Sequence, residues 1–286
     1  MSLLKLPSPL VSIDWLENNI DNPNLILLDA SWHMASVNRD GQMEWFNERI
    51  PGARFFDFNR EVCDKHSEFP HMMPNQDDFQ DSAQKLGINH NSTIIVYDSI
   101  GIFSSPRVWW MFKVMGCENI GVLDGGLPAW KDKSLPVESG SAIAPLLTGD
   151  FVANYQSALM CGTNQVIDAT QRTEQSIVDA RPKGRFDGAE KEPRVGVRSG
   201  HIPTSKSLPA STILENNKMK DAYQLALLFE AISPKSQQLI FSCGSGVTAC
   251  ILALGATLAG YEQLCVYDGS ITEWSSREDL SVVKSV

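Results

Sequence analysis

The chain has 286 residues, of which 43% are hydrophobic and 20% are charged, as expected for a globular protein with a sizeable core. Its formal net charge of −10 argues against nucleic acid as a partner. No apolar run approaches the roughly 18 residues that cross a membrane, and the N-terminus has neither signal-peptide nor transit-peptide character. We therefore expect a cytoplasmic protein that does not associate with membranes.

Strand-like and helical patterns alternate along the first half of the chain. Short apolar runs occur at 25–29 (LILLD), 93–98 (TIIVYD) and 120–125 (IGVLDG), and a helical pattern occupies 105–116 (SPRVWWMFKVMG). Strands that alternate with helices are typical of a parallel sheet covered on both faces. This half is predicted to be an α/β domain.

The second half repeats the landmarks of the first. Asp29 in LLDAS matches Asp179 in IVDAR, and Trp130 in LPAW matches Trp274 in ITEW, at separations of 150 and 144 residues. Strand-like runs recur as SIVDA, QLIFS and QLCVYDG, with a helical pattern in VTACILALGATLAG. A repeat of this length with nearly constant spacing predicts two copies of one domain.

The domain boundaries follow from this repeat. We predict a first domain at 1–140, a linker at 141–165 that is rich in Ser, Gly and Ala, and a second domain at 166–286. After the central strand-like run, the second copy carries Cys243 where the first carries Asp98 or Ser99, since a one-residue gap leaves both alignments open. Because the first copy has no thiol there, we expect the second domain to be catalytic and the first to be non-catalytic.

The cysteines give no sign of a metal or a disulfide framework. The chain contains six of them and none forms a CxxC pair or a Cys/His cluster with zinc spacing. We expect no metal and no cofactor. Cys250 and Cys265 lie in apolar contexts typical of small core residues, whereas Cys243 has a different setting.

Cys243 stands between a strand and a helix, in the stretch FSCGSGVTA. Ligands of parallel sheets bind at the carboxyl ends of strands. Gly244 and Gly246 allow the backbone to curl, and the N–H groups of such a curl, from Gly244 to Thr248 and including Val247, can converge on an anion. Such a setting favours a thiolate. The simpler alternative is a buried cysteine on a glycine bend.

The residues around Cys243 discriminate between two enzyme classes. A cysteine phosphatase requires an arginine six residues after the cysteine, and Ala249 occupies that position. A sulfurtransferase requires a thiolate, an amide nest and a cation that holds the sulfur donor. Segment 181–198 contains six Lys and Arg residues against three Asp and Glu residues, which indicates a small anion as ligand.

These features together resemble the two-domain rhodanese-like sulfurtransferases, from LLDASWHM near the start to DGSITEW near the end. The loop CGSGVTA has the form of the mercaptopyruvate branch, whereas thiosulfate-preferring relatives carry the more basic CRKGVT. The resemblance implies an α/β fold with two tandem rhodanese-like domains. It also implies an enzyme that takes sulfur from 3-mercaptopyruvate and passes it to a thiol, such as thioredoxin or a small dithiol, or to cyanide.

The resemblance also assigns roles to residues. Cys243 would become a persulfide, and Ser245 would relay a proton to the departing enolate. Arg185 in GRF and Arg194 in EPR match the family arginines that hold the donor, and the bidentate grip on a carboxylate favours Arg over Lys. His71 in PHMMP would line the pocket. In FFDFN, Asn59 stands where the family usually carries an acid.

Two alternative functions remain open at this point. One is the same chemistry with thiosulfate as the main donor. The other is a persulfide carrier of low turnover that serves a partner protein.

Overall fold

The computed structural model describes residues 4–141 and 146–285, which fold into two compact units. The first unit is built mainly from residues up to Gln156 and the second from Ser157 onwards. Two short segments depart from this division, because His66–Met72 groups with the second unit and Asn216–Lys218 with the first. Within the described residues, no helix is long and apolar enough to cross a membrane.

The first unit is a five-stranded parallel sheet with helices. The strands lie in the order β1-β5-β4-β2-β3. Its elements are β1 (Leu10–Val11), α1 (Ile13–Asn19), β2 (Leu25–Asp29), α2 (Gly41–Asn47), β3 (Arg54–Phe55), α3 (Gln76–Lys85), β4 (Thr93–Tyr97), α4 (Ser105–Val114), β5 (Ile120–Leu123) and α5 (Gly126–Asp132), with a 3₁₀ turn at Ala35–Val37.

The second unit repeats this sheet, in the order β6-β12-β11-β7-β8, with all strands parallel. Its elements are β6 (Met160–Cys161), α6 (Thr163–Ala169), β7 (Gln175–Asp179), α7 (Lys183–Asp187), β8 (Lys206–Ser207), β9 (Leu214–Glu215), β10 (Lys218–Met219), α8 (Ala222–Glu230), β11 (Gln238–Ser242), α9 (Ala249–Leu258), β12 (Leu264–Tyr267) and α10 (Ser270–Ser276). 3₁₀ turns lie at Ser157–Leu159 and Ala210–Ile213, and β9 pairs with β10.

The two sheets have the same strand order, which confirms the predicted α/β fold with a duplicated domain. The central strands β4 and β11 occupy matching positions, and each aligns with its neighbour in the same register, Asp29 opposite Tyr97 and Asp179 opposite Ser242. Asp98 and Cys243 are therefore each the first residue after the central strand. This register resolves the alignment that the sequence left open, in favour of Asp98.

Burial explains why these runs form strands that are covered on both faces. The runs of β4, β5 and β12 are buried at every position. Successive side chains of a strand point to opposite faces, so continuous burial requires helices on both sides of the sheet. In the first unit, one face packs against Leu16 and Trp130, and the aromatic rings of Phe79 and Phe112 meet edge to face at 4.9 Å in another part of the core.

The predicted linker, 141–165, contains ordered structure of the second sheet. Strand β6 at Met160–Cys161 pairs with β12, and α6 begins at Thr163. Ordered structure of the second unit thus starts before residue 166. A two-residue edge strand has too little periodicity to be found in a sequence. Residues 142–145 of the predicted linker lie outside the described residues.

One buried carboxyl differs between the two units. Asp179 forms an ion pair with buried Arg181, with its Oδ2 at 2.6 Å from Nη2. Its counterpart Asp29 has Ser31 in place of the arginine and accepts a hydrogen bond from the Ser31 N–H at 2.8 Å. Burial without a cation raises the pKa of Asp29 to about 7.

Substitution of Asp29 should therefore change the pH dependence of stability. Asp ionises near pH ~4 in an unfolded chain, so Asp29 lowers the free energy of unfolding progressively as pH rises from about 4 to about 7. In urea unfolding, the free energy of unfolding of Asp29→Asn should equal that of the wild type near pH 4 and exceed it by about 4 kcal/mol at pH 8.

Asp179→Asn is the matched control. It should lose about 3 kcal/mol because it leaves buried Arg181 without one of its carboxylates. A difference between Asp29→Asn and wild type that is the same at pH 4 and pH 8 would contradict this account.

Candidate active site

Cys243 lies at the carboxyl edge of the second sheet, directly after its central strand. Strand β11 ends at Ser242, between β7 and β12, and α9 begins at Ala249. The thiol side chain is buried, with 2% of its surface exposed. The sequence prediction of a strand-to-helix turn at this position is confirmed.

The neighbouring helix α10 fixes the path of the loop. The N–H of Ile271 donates to the carbonyl of Cys243 at 3.1 Å, and the N–H of Thr272 donates to the carbonyl of Gly244 at 3.2 Å. Gly246 adopts a φ of 75°, which a side chain would strain. The loop is therefore held from the adjacent strand-to-helix connection as well as by its own turn.

The matching turn of the first unit shows what this backbone binds. There the carboxylate of Asp98 accepts hydrogen bonds from five backbone N–H groups at 2.9–3.0 Å, and from the Ser105 hydroxyl at 2.7 Å. The five N–H groups belong to Ile100, Gly101, Phe103, Ser104 and Ser105. We call such converging N–H groups an amide nest. In the first unit the protein's own carboxylate fills it.

The amide nest of the second unit is only partly used. Counted from the central strand, its N–H groups are those of Ser245, Gly246, Thr248, Ala249 and Cys250. The N–H of Gly246 donates to the Ser270 hydroxyl at 3.1 Å, and that of Cys250 to the Val247 carbonyl at 3.2 Å. Those of Ser245, Thr248 and Ala249 have no acceptor among the described residues.

One additional atom bonded to the Cys243 sulfur could supply the acceptor that this amide nest lacks. An Asp side chain extends two atoms beyond Cβ to its oxygens, whereas a Cys side chain extends one. The terminal sulfur of a persulfide, Cβ–Sγ–S, lies two bonds beyond Cβ, as the carboxylate oxygens of Asp98 do, and it also carries a negative charge when ionised. The loop therefore offers donors for an anionic atom bonded to Sγ.

Ser270 holds the other side of the thiol. Its Oγ accepts from the N–H groups of Cys243 and Gly246 at 3.0 and 3.1 Å, and lies 3.9 Å from the Cys243 Sγ. Its own proton can be donated to the Tyr267 carbonyl at 2.9 Å. Ser270 has a φ of 50°, an uncommon value for a residue with a side chain, so the fold holds this hydroxyl in a strained backbone position.

The structure brings both predicted arginines to the Cys243 loop. A Cβ added at Gly244 would lie 3.4 Å from Nη2 of Arg185 and 3.7 Å from Nη1 of Arg194. Burial lowers the pKa of the Arg194 guanidinium, while Cys243 opposes the shift and Arg185 adds to it. Two cations thus face the backbone next to the thiol.

A buried charge network supports Arg185. The carboxylate of Glu192 accepts from Nε of Arg185 at 3.1 Å, from Nη2 of Arg185, and from Nη1 of Arg181 at 2.7 Å. Arg181 also binds Asp179 and the carbonyl of Gly200. The side chains of Arg181, Asp179 and Glu192 are no more than 3% exposed, so Arg185 is anchored to a rigid base.

The other predicted site residues occupy the following positions. Ser245 is buried. Val247 is buried and Thr248 precedes the first residue of α9. His71 is buried with a φ of 66° and belongs to a segment of the second unit. The roles of all these residues stay predictions.

Sequence reasoning missed Ser270 and Glu192. Ser270 follows β12 in a DGS turn, and its position at the edge of a neighbouring strand was a usable signal. Glu192 precedes Arg194 by two residues in EPR, and nothing in the sequence distinguishes a buried glutamate in a charged segment from an exposed one. Among the described residues, no group of three or more His, Cys, Asp or Glu side chains could hold a metal ion.

The chain is similar to known proteins over most of its length. A family model for the rhodanese-like domain matches residues 12–133 and 163–277. Thiosulfate/3-mercaptopyruvate sulfurtransferase 1 of Arabidopsis thaliana, named as mitochondrial, is 39% identical over 303 aligned positions, gaps included. The alignment covers 98% of this chain and 79% of the relative. The 3-mercaptopyruvate sulfurtransferase of Mus musculus is 37% identical over 286 residues, covering 97% of this chain and 95% of the relative.

A solved structure is similar over most of the chain. The chain matches the crystal structure of SseA from Escherichia coli, a 3-mercaptopyruvate sulfotransferase with the rhodanese fold, with a TM-score of 0.83 at 32% identity. The match covers 92% of this chain and 98% of that one. The chain therefore belongs to the rhodanese-like sulfurtransferases and carries a rhodanese-like domain in each half.

Proposed function

We propose that this protein is a 3-mercaptopyruvate sulfurtransferase that carries the transferred sulfur as a persulfide on Cys243. The observation that supports it most is the partly unfilled amide nest beside Cys243, compared with the same nest filled by the Asp98 carboxylate in the first unit. Two arginines next to the nest supply the positive charge that an anionic donor requires.

The first step is attack of the Cys243 thiolate on the donor's sulfur. A bond forms between the two sulfurs while the donor's carbon–sulfur bond breaks, and its electron pair goes to the carbon, which gives the enolate of pyruvate. The enolate then takes a proton and leaves as pyruvate. The sulfur, with the hydrogen it carried, stays on Cys243 as a persulfide.

The surrounding residues stabilise charge during this step. Negative charge moves from the thiolate to the enolate oxygen, and we assign Arg194 and Arg185, which border Gly244, as donors to that oxygen and to the carboxylate. The N–H groups of Ser245, Thr248 and Ala249 then stabilise the terminal sulfur of the persulfide. Ser245 is our proposed proton relay to the enolate, since its hydroxyl is two residues from the thiol.

The second step returns the cysteine to the thiolate. A thiolate of thioredoxin or of a small dithiol attacks the terminal sulfur of the persulfide and takes it over. The bond between the two sulfurs of the persulfide breaks, and its electron pair stays on Sγ of Cys243. Cyanide acts in the same way and leaves as thiocyanate. We propose a cytoplasmic location for this reaction.

Thiosulfate is the competing donor. The Arabidopsis relative carries both donors in its name, which gives the alternative a specific basis. Against it, position 244 is glycine, so the loop adds no cation for a dianion. We therefore propose 3-mercaptopyruvate as the preferred donor, and a persulfide carrier of low turnover as the outcome if acceptors are not consumed.

Replacement of Cys243 tests the site directly. After treatment with 3-mercaptopyruvate and no acceptor, wild type should gain the mass of one sulfur atom on the peptide that contains Cys243, and Cys243→Ser should gain none there. Cys117→Ser is the control, because Cys117 is a partly buried thiol outside the loop. We expect its adduct and its turnover with cyanide to match wild type.

Two results would contradict the proposed function. An unmodified Cys243 peptide would exclude both the enzyme and the carrier. A higher kcat/KM for thiosulfate than for 3-mercaptopyruvate would exclude the proposed donor.

The two arginines should affect donor binding. Arg194→Ala removes a charged hydrogen-bond donor and should weaken apparent donor binding by about 1.5–3 kcal/mol, seen as a higher KM for 3-mercaptopyruvate. Arg185→Ala should do the same and also lower stability, because it leaves Glu192 with one arginine fewer.

Arg198→Ala serves as the matched control for the arginines. Arg198 belongs to the same basic segment but binds the carbonyls of Ser275, Arg277 and Leu280. We expect it to lower stability and leave KM unchanged. An unchanged KM in Arg194→Ala and Arg185→Ala would remove both residues from the donor site.

The two serines near the thiol should behave differently. Ser245→Ala should lower kcat for 3-mercaptopyruvate by about 10²-fold through loss of the proton relay, with little change in the free energy of unfolding. Ser270→Ala should lower that free energy by about 1–3 kcal/mol, because the N–H groups of Cys243 and Gly246 lose their acceptor. A wild-type kcat in Ser245→Ala would refute the relay.

A further inference from the structure

Glu192 is a buried carboxylate at the centre of the arginine cluster. It binds Arg185 through two hydrogen bonds and Arg181 through a third, and its side chain is 3% exposed. The proposed chemistry gives it no step. Its position requires another explanation, because a buried carboxylate beside an anion-binding site opposes the binding of anions.

The arginine cluster carries one positive charge in excess before the Cys243 thiolate of the proposed chemistry is counted. Two carboxylates, Asp179 and Glu192, face the three guanidinium groups of Arg181, Arg185 and Arg194. Arg181 is fully engaged with Asp179, Glu192 and the Gly200 carbonyl. The excess charge therefore falls on the pair that borders Gly244.

The two guanidinium groups at Gly244 are not equivalent. Arg185 already has a carboxylate partner in Glu192, which uses its Nε and Nη2 donors. The guanidinium of Arg194 is half-buried and interacts with Glu192 through charge, without a hydrogen bond to it in the described part of the chain. Arg194 can thus match the charge of one carboxylate, while Arg185 contributes its remaining N–H groups with its charge already balanced.

We propose that Glu192 sets the net charge of the donor site and thereby selects donors with one negative charge over dianions. This inference rests on the proposed function and refines it. 3-Mercaptopyruvate carries a single carboxylate and thiosulfate carries two negative charges. Glu192 is a specificity-determining residue that acts through Arg185 and does not touch the reacting atoms.

The magnitude follows from Coulomb's law in a partly buried site. Removal of the Glu192 charge makes the site more positive by one charge, and a dianion gains about twice as much from this change as a monoanion. With an effective dielectric constant of about 20 and separations of about 6–10 Å, the difference between donors corresponds to about tenfold or more in relative kcat/KM.

The experiment compares both donors in three variants. Glu192→Gln keeps the size of the side chain and one acceptor oxygen but removes the charge. Glu192→Asp keeps the charge and shortens the side chain. Asp187→Asn removes a carboxylate that pairs with Lys183 on the same helix as Arg185 and is the charge control.

We expect the ratio of kcat/KM for thiosulfate to that for 3-mercaptopyruvate to rise about tenfold or more in Glu192→Gln and to stay near wild type in Asp187→Asn. Glu192→Asp should lower both values and leave their ratio near wild type. An unchanged ratio in Glu192→Gln, or equal shifts in Glu192→Gln and Glu192→Asp, would overturn the inference while leaving the proposed function intact.

Binding of inert anions provides a readout that does not depend on turnover or on the variant folding. By titration calorimetry, the wild type should bind pyruvate, a monoanion, more tightly than sulfate, a dianion. Where Glu192→Gln folds, it should shift this preference towards sulfate. A wild type that prefers sulfate would contradict the inference, and a wild type that binds as predicted but transfers no sulfur would contradict the proposed function alone.

Discussion

The amide nest after the central strand is the constraint on which the site depends. Several N–H groups converge there at the start of a helix, in a buried part of the protein, and they require hydrogen-bond acceptors, a role for which an anion is well suited. In the first unit Asp98 supplies that partner permanently. In the second unit Cys243 leaves part of the nest without one. A thiol at this position is therefore placed to gain an atom and a charge.

The two units of the duplicated fold have the same backbone geometry around this turn but carry different residues on it. Gly126 and Ser270 both adopt positive φ at the start of the last helix of their unit, but only serine brings a hydroxyl to the central turn. Asp29 is buried beside Ser31, whereas Asp179 is buried beside Arg181. The second unit thus carries the Ser270 hydroxyl and the Arg181 guanidinium at positions where the first unit carries Gly126 and Ser31.

The fold and the thiol loop could be predicted from sequence because their signals are local or periodic. Alternating buried runs, the repeat and the CGSGVTA loop each report on neighbouring residues. A local excess of basic residues indicated segment 181–198, and the family resemblance selected Arg185 and Arg194 within it. The roles of Ser270 and Glu192 could not be predicted from sequence, because they depend on which strands are adjacent and on how deeply a carboxylate is buried. Strand β6 could not be predicted because a strand of two residues is too short to show hydrophobic alternation.

The central claim is that the amide nest receives the persulfide as it receives Asp98, and a crystal structure of the protein after reaction with 3-mercaptopyruvate tests it most directly. We predict electron density for one extra sulfur on Cys243, within hydrogen-bond distance of the N–H groups of Ser245, Thr248 and Ala249. An extra sulfur that points away from these N–H groups, or a sulfur bound to another cysteine, would contradict the account.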